Sequence, residues 1–597
     1  MSPSRTNAEP QAGNTHSIPP ILTLPIKKDE FQEIYLGPAI EEKISSLDTI
    51  RMVAISPSES QRQQQDIFIN SLLEDIALQA TQQLPVIKPK SENETLAVQS
   101  QVIARTAGNA AIAGIGDLTF AILKYAINVV MTNLVSQTIY GTYIAVYTSA
   151  SIVGSMAVMG LDSTMLRFLS IYRAKDERNL TMGLVRFIVW MTLISGLVCS
   201  LLFFLSSTAL AHLIFHRDAY ALPLKEIALL IPMIALQLVF GSGLQALKAV
   251  KWKVLVDRLI QPVFCLILIV AFYQLGLRLD ALILATVCGF LASILTGQIL
   301  LRKVSKQYIY HATPRCEKKA WLSFALPMSL NSFIQSIMNS ADVLFLTVFA
   351  SAAQVGLYAA ADRASAIVIM PLLALNTIFS PLIAEYYALG EHKLISNLFR
   401  VVTKWSFSLS LPIFLCFVVF HEAILGIFTK GYTSAGAALI ILAFGNLINA
   451  GTGLTGSLLL MTGQTRVLLA NTAVSIAFNA GVAFLLVPHF NVVGAAIAAA
   501  SAVIALDLVS LIEVVFILKL FPLHWDLLKP VAAGSISSIL GLFLLHFIHV
   551  GYGYRAIPGT LALIIPFMLV YAIVMALLRF SKEDMIVVDA IRAKFAR

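Results

Sequence analysis

Charge is scarce in this chain. Only 13% of its 597 residues are Asp, Glu, Lys or Arg, against about 25% in soluble domains. Hydrophobic residues make up 58%, and the mean hydropathy is +0.81. That excludes an ordinary water-soluble globule and calls for lipid as the solvent. Cysteine is sparse too. Cys199, Cys265, Cys288, Cys316 and Cys416 form no pair with metal-ligand or redox spacing. All but Cys316 lie in apolar stretches, where they read as small packing residues. No Gly-Lys phosphate loop and no Gly-x-Ser-x-Gly elbow occurs, so neither nucleotide hydrolysis nor acyl transfer has its usual machinery. His212 with His216, and His546 with His549, share helix faces but have no Cys or carboxylate ligand set beside them in the sequence. The segment "HEAIL" at 421–425 lacks the second His of a zincin. No metal and no cofactor are expected.

Long apolar runs are abundant. A spanning helix needs about 20 mostly apolar residues, and from residue 111 such runs follow one another almost without pause. The ten-residue alternation of a membrane β-barrel is absent. We place spans at 112–135, 141–163, 184–208, 223–246, 254–275, 280–301, 322–349, 355–383, 404–427, 434–460, 466–487, 492–518, 530–549 and 557–579. The first 105 residues differ, being rich in Gln, Ser, Pro and charge. They read as a polar, largely disordered cytoplasmic segment with one short amphipathic helix near Ile69, Leu72, Leu73 and Ile76. No signal peptide is expected there.

The net charge of +9 raises nucleic acid as a partner. The distribution of that charge argues against it. Arg173, Lys175 and Arg178 fall in one short loop, and Lys248, Lys251 and Lys253 in another. A third holds Arg302, Lys303, Lys306, Arg315, Lys318 and Lys319, and further basic loops follow at every second connection. The intervening loops carry little beyond Arg217, Lys225, Arg278, Lys430 and Arg555. This alternation follows the positive-inside rule and places both termini in the cytoplasm. An internal repeat is also visible. Gly141 aligns with Gly356, Tyr143 with Tyr358 and Tyr172 with Tyr386, while Gly241, Gly243 and Leu244 align with Gly451, Gly453 and Leu454. Each copy has an even number of spans, so the copies should relate by a pseudo-twofold axis along the membrane normal, with a site between them.

The stretch "FALPMSLNSFIQSIMNSADVLFLTVFASAAQVGLYAAADRAS", with "PLLALNTIFSPLIAEYYALGE" after it, resembles the polysaccharide (O-antigen repeat-unit) flippases. "YGTYIAVYTS" with "MGLDSTMLRFLSIY" carries the same marks in the first copy, and "INAGTGLTGSLLLMTGQTRVLLANTAVSIAFNAG" continues them. The resemblance covers residues 105–520 and, more weakly, the last two spans. It implies the multidrug/oligosaccharidyl-lipid/polysaccharide exporter fold: an all-α polytopic membrane protein of about fourteen transmembrane helices. Two six-helix lobes, 106–310 and 311–520, would be followed by two additional helices and a cytoplasmic tail in 521–597. The implied substrate is an undecaprenyl-pyrophosphate-linked oligosaccharide, moved from inner to outer leaflet of the cell's inner membrane. Membrane lipids, a proton or sodium ion and polysaccharide assembly proteins are the other implied partners. The long polar N-terminal segment departs from the family pattern.

Ionisable groups within spans cost about 2.5–3.5 kcal/mol each on insertion scales, so each is a functional candidate. Lys124 lies midway along the first span, with Asp117 nearer its inner end; Asp342 falls in span seven, and Asp362 and Arg363 in span eight. Counted from their shared loop, Asp342 and Arg363 lie at similar depth, roughly 13 Å in at 1.5 Å per residue. Two readings follow. Asp342 and Arg363 pair and lock a helical hairpin, or Arg363 and Lys124 offer positive charge from opposite lobes to a pyrophosphate, with Asp342, Asp362 and Asp117 as ion-coupling or pairing carboxylates. Adjacent Asp362 and Arg363 diverge by about 100° around an ideal helix. Asp257, Arg258 and Arg167 read as interfacial, and Asp507 as facing a lobe interior.

A cation-coupled drug exporter of the same superfamily is the alternative reading. An embedded polymerase or glycosyltransferase, which usually needs a large outer loop or a soluble domain, fits less well. Reporter fusions after Lys90 and after Arg597 should report the cytoplasm, and one at Ser351 the outside. A cytoplasmic signal at Ser351 would refute the topology.

Overall fold

The computed structural model describes residue 116 and residues 119–578, apart from 310–312, 339, 389, 522–524 and 549. The polar segment 1–105 with its expected short helix, Asp117, His549 and the tail beyond 578 lie outside the described residues. Among the described residues every regular element is helical.

In chain order the helices of the first copy are α1 (Thr119–Leu134), α2 (Gln137–Ala157), α3 (Leu161–Ala174), α4 (Arg178–Ala209), α5 (Ala221–Ile227), α6 (Leu230–Ala246), α7 (Val250–Gln274) and α8 (Leu279–Ile309). The second copy comprises α9 (Lys318–Met338), α10 (Ala341–Phe349), α11 (Ala352–Ser365), α12 (Met370–Ala388), α13 (His392–Gly426), α14 (Gly436–Thr452), α15 (Thr455–Met461) and α16 (Thr465–Glu513). Two more, α17 (Leu528–Phe547) and α18 (Ala556–Leu577), pack on each other and on α13. There the Tyr571 hydroxyl donates to the Ser408 carbonyl at 2.7 Å, and the Phe420 and Phe567 rings meet edge to face at 5.7 Å.

Among the described residues, eight helices are long and apolar enough to cross a membrane, and twelve if each of four bent pairs counts as one span. Fourteen is not reached by length and composition, and the difference sits at two places. The described part of the first span, Thr119–Leu134, is shorter than a bilayer requires. Residues Arg466–Leu518 run as one 53-residue helix where the sequence predicts two spans. That helix breaks sharply at Asn491 (φ 48°, ψ −118°), just past Pro488 and at the predicted boundary.

The internal repeat has a physical counterpart. The α2–α3 pair bends by 42° and the α11–α12 pair by 52°, at corresponding places in the two copies. The aligned glycines Gly141 and Gly356 then lie against each other where α2 crosses α11. A methyl group on Gly141 would collide with the Ala352 carbonyl, and one on Gly356 would sit 2.7 Å from the Gln137 carbonyl. Backbones this close exclude any side chain, the small-residue packing that membrane helices use in place of a hydrophobic drive. Each helix is also capped. Ser136 accepts from the Ile139 amide at 3.4 Å, and Ser351 forms a reciprocal capping box with Gln354 at 3.3 and 2.8 Å. Not every aligned glycine does the same job. Gly243 is an ordinary helical residue, whereas Gly453 ends α14 at φ 78°.

Substituting Leu at Gly141 or at Gly356 should cost about 1–3 kcal/mol, the usual scale of overpacking. Thermal unfolding of the purified protein in detergent measures this. A Gly356→Leu variant that melts with the parent would show that the two backbones do not touch.

Candidate functional site

The site is built on the ring of Phe120. One turn along α1, the Lys124 ammonium lies 5.7 Å from the centre of that ring. From α7 the Arg258 guanidinium lies 4.9 Å from the same centre. Arg258 reaches it from a π-helical turn, Leu255–Ile260, whose wider winding re-aims the side chains it carries. Both distances are within cation–π range. The sequence reading put Arg258 at the membrane interface and did not group it with Lys124; the structure brings the two together. Phe120 was missed as well, although its i, i+4 spacing from Lys124 was a usable signal.

The third cation comes from the other copy. Arg363, two turns below the glycine crossing on α11, is the charged group that bears most heavily on Lys124, ahead of Asp362 and Arg258. Its guanidinium pairs with Asp362 at 3.2 Å. Neighbouring positions diverge on an ideal helix, but both side chains are long enough to fold back along the surface. Tyr140, Tyr147 and Tyr358 lie near enough to act on the guanidinium electrostatically. The Tyr140 hydroxyl donates to Asn128 Oδ1 at 2.6 Å, and Asn128 Nδ2 donates to the Lys124 carbonyl at 2.6 Å. This chain of hydrogen bonds fixes the α1 backbone at Lys124 to α2 and so to the crossing.

Asp342 does not pair with Arg363, contrary to the hairpin reading. That reading assumed one straight helix. Instead α9 and α10 meet at a 54° bend, and Asp342, in the first turn of α10, faces α16. There it accepts a 2.9 Å hydrogen bond from Asn479 Nδ2, with the Tyr358 hydroxyl close by. Asn479 Oδ1 is buried without a hydrogen-bond partner, so two oxygen-bearing groups share this spot. Lys124, Arg258, Asp362 and Arg363 thus form one group, Asp342 with Asn479 a second, and Asp117 lies outside the described residues.

Other polar groups stay apart. Asp507 is 8% exposed and its Oδ2 has no hydrogen-bond partner, and Asp257 Oδ1 is buried and unpartnered too. Arg167 lies over the Phe324 ring at 4.6 Å. His212 does have a carboxylate neighbour, Asp218 at 2.7 Å, six residues along the chain, which the sequence reading did not pair with it. Among the described residues no group of three His, Cys, Asp or Glu side chains could hold a metal ion.

Known proteins match in the same regions. The profile of the family described as Polysaccharide biosynthesis protein matches residues 107–387, and that of the MatE family matches residues 327–485. A curated relative, the probable low-salt glycan biosynthesis flippase Agl15 of Haloferax volcanii, is 26% identical over 227 residues. That match takes in 38% of this chain and 47% of the relative, so the chain spans about half the length of that protein. Among solved structures, the lipid II flippase MurJ in an inward closed conformation superposes with a TM-score of 0.60 at 15% identity. It covers 78% of this chain and 98% of its own. An inward-facing multidrug resistance MATE family transporter gives 0.58 at 14% identity, over 67% and 94% respectively. At these identities the two structures establish the two-lobed transporter fold.

Removing Asn479 should leave Asp342 without its donor. Asn479→Ala is expected to cost about 1–3 kcal/mol, the usual penalty for stranding a buried polar group. Asp342→Asn in the same chain should recover part of that loss. Melting of the two single variants and the double variant in detergent measures the coupling, and strictly additive losses would contradict it.

Proposed function

We propose that the chain is a polysaccharide flippase of the multidrug/oligosaccharidyl-lipid/polysaccharide exporter superfamily and carries a lipid-linked oligosaccharide across the membrane, a reading that the two family matches, the glycan flippase relative and the shared fold support. In this reading the oligosaccharide is joined through pyrophosphate to undecaprenol and moves from the inner to the outer leaflet. The observation that carries the reading is that Lys124 and Arg363, one from each lobe, lie close enough to act on each other electrostatically, with Asp362 paired to Arg363. A pyrophosphate carries concentrated negative charge and must leave water partway across. Two cations against one carboxylate leave positive charge for it, and the planar guanidinium of Arg363 suits two phosphate oxygens at once. The relatives named as glycan and lipid II flippases support the same substrate class.

The chain moves its substrate rather than transforming it. Alternating access would be a rocking of the lobes about the Gly141–Gly356 crossing, just above the cations. An ion gradient would drive it, with the Asp342 carboxylate and the free Asn479 oxygen as the place where a proton or sodium ion binds. A surplus of cations in the cavity disfavours the alternative, export of cationic drugs.

Lys124→Ala and Arg363→Ala should each lower surface glycan roughly 10- to 100-fold at normal membrane abundance, the scale of a lost charge-assisted hydrogen bond. Arg363→Lys should keep partial export. Were Arg363 present only to neutralise Asp362, Asp362→Asn would restore export to Arg363→Ala; no restoration is expected. Normal export by the Lys124→Ala, Arg363→Ala double variant would refute the reading.

A further inference from the structure

Away from the central cations, the outer face of the first lobe carries a built groove of about 260 Å³. One wall is a single face of α4: Gly183, Arg186, Phe187, Trp190, Met191 and Ile194. Pro314 and Cys316, from the segment joining the two copies, form the other. This segment is fastened to the first lobe. The Thr313 amide donates to Asn179 Oδ1 at 3.0 Å and the Arg315 amide to the Asn179 carbonyl at 3.1 Å. The Tyr172 hydroxyl donates to Glu317 at 2.9 Å and accepts from the fully buried Trp321 indole at 2.9 Å. Trp321 in turn packs on Phe187, their ring centres 5.4 Å apart. The walls therefore hold their spacing.

Chemistry and length together identify the occupant. From Gly183 to Ile194 the groove runs eleven residues, about 16 Å at 1.5 Å per residue, close to half of a roughly 30 Å hydrocarbon core. It is apolar along that length, and Trp190 is 58% exposed on its flank. Arg186 lines it beside Gly183, and Arg315, Lys318 and Lys319, within three residues of the Cys316 wall in the chain, are exposed as Arg186 is. Among the described residues none of the four has a carboxylate partner, while Glu317 is engaged by Tyr172. An apolar slot one leaflet deep under a cluster of unpaired cations matches an acyl chain beneath an anionic headgroup. We propose that this groove binds an anionic phospholipid of the surrounding bilayer, with its phosphate at Arg186 and the lysines and one acyl chain along Phe187, Met191 and Ile194. The bound lipid holds the joining segment against α4.

Cys316 provides the readout. The full-length protein, with Cys199 and Cys288 changed to Ser, is placed in nanodiscs of phosphatidylcholine alone or mixed with phosphatidylglycerol, and labelling of Cys316 by a water-soluble maleimide is timed. Phosphatidylglycerol should slow labelling. In a phosphatidylglycerol titration, each cation removed among Arg186→Gln, Lys318→Gln and Lys319→Gln should weaken the protection about fivefold, as for a basic group at an anionic membrane surface. Rates in phosphatidylcholine alone should stay unchanged. Met191→Trp, which fills the slot, should abolish the protection with all four cations present, and melting at the parent temperature checks that both kinds of variant fold. Equal rates in the two lipids, or protection that survives the triple Gln variant, overturns the proposal. So does displacement of phosphatidylglycerol by an equimolar polyprenyl phosphate, which would make the groove a substrate site.

Discussion

Everything at the centre of this molecule hangs on two backbones touching. Where α2 crosses α11, Gly141 and Gly356 leave no room for a side chain, and the lobes meet there. Cation positions follow from that contact. Arg363 lies two turns along α11 from Gly356, and Tyr140, next to Gly141, holds Lys124 in place through Asn128. The same end of the bundle is tied twice more between the copies. Arg217 donates to the Ala350 carbonyl at 2.8 Å, and Asn133 to the Ile427 carbonyl at 2.9 Å. Side chains larger than glycine would separate the helices and move both cations with them.

The few ionisable groups within the spans are not scattered. Lys124 and Arg258 share one aromatic ring, Arg363 leans on its own neighbour, and Asp342 takes its hydrogen bond from an amide rather than from a cation. Each arrangement lowers the cost of a polar group in lipid without cancelling all of the positive charge. Helix α9 adds a second link between the copies. It packs on α2 and α3, with Phe324 against Phe168 of α3 and Trp321 against Phe187 of α4, while α10, beyond the bend, packs on α16. A single sequence-predicted span is thus divided between the two lobes.

Much of this was legible in the sequence, and the particular misses have physical causes. Apolar length and alternating loop charge located the helices, because lipid imposes both on any chain that crosses it. Repeat alignment picked out Gly141 and Gly356 as equivalent, though not as touching. The reading that paired Asp342 with Arg363 failed because a 54° bend between α9 and α10 changes which helix Asp342 faces, and depth counted along a straight helix cannot register a bend. Arg258 was not grouped with Lys124 because a π-turn alters winding locally, and the residues that form one carry no distinct pattern. Gly243 and Gly453 align yet differ in backbone conformation, since only the second ends a helix.

The sequence by itself determined the solvent, the helical class, the two-copy plan and the small set of membrane ionisable groups. Composition and periodicity are local quantities, and the bilayer converts them directly into helices. Which of those groups meet was decided only by tertiary structure. The bends after α2, α9 and α11, the crossing at Gly141 and Gly356, and the turn that swings Arg258 onto Phe120 each depend on packing between segments far apart in the chain. Distances of that kind arise from helices pressing on one another, and no single stretch of residues contains them.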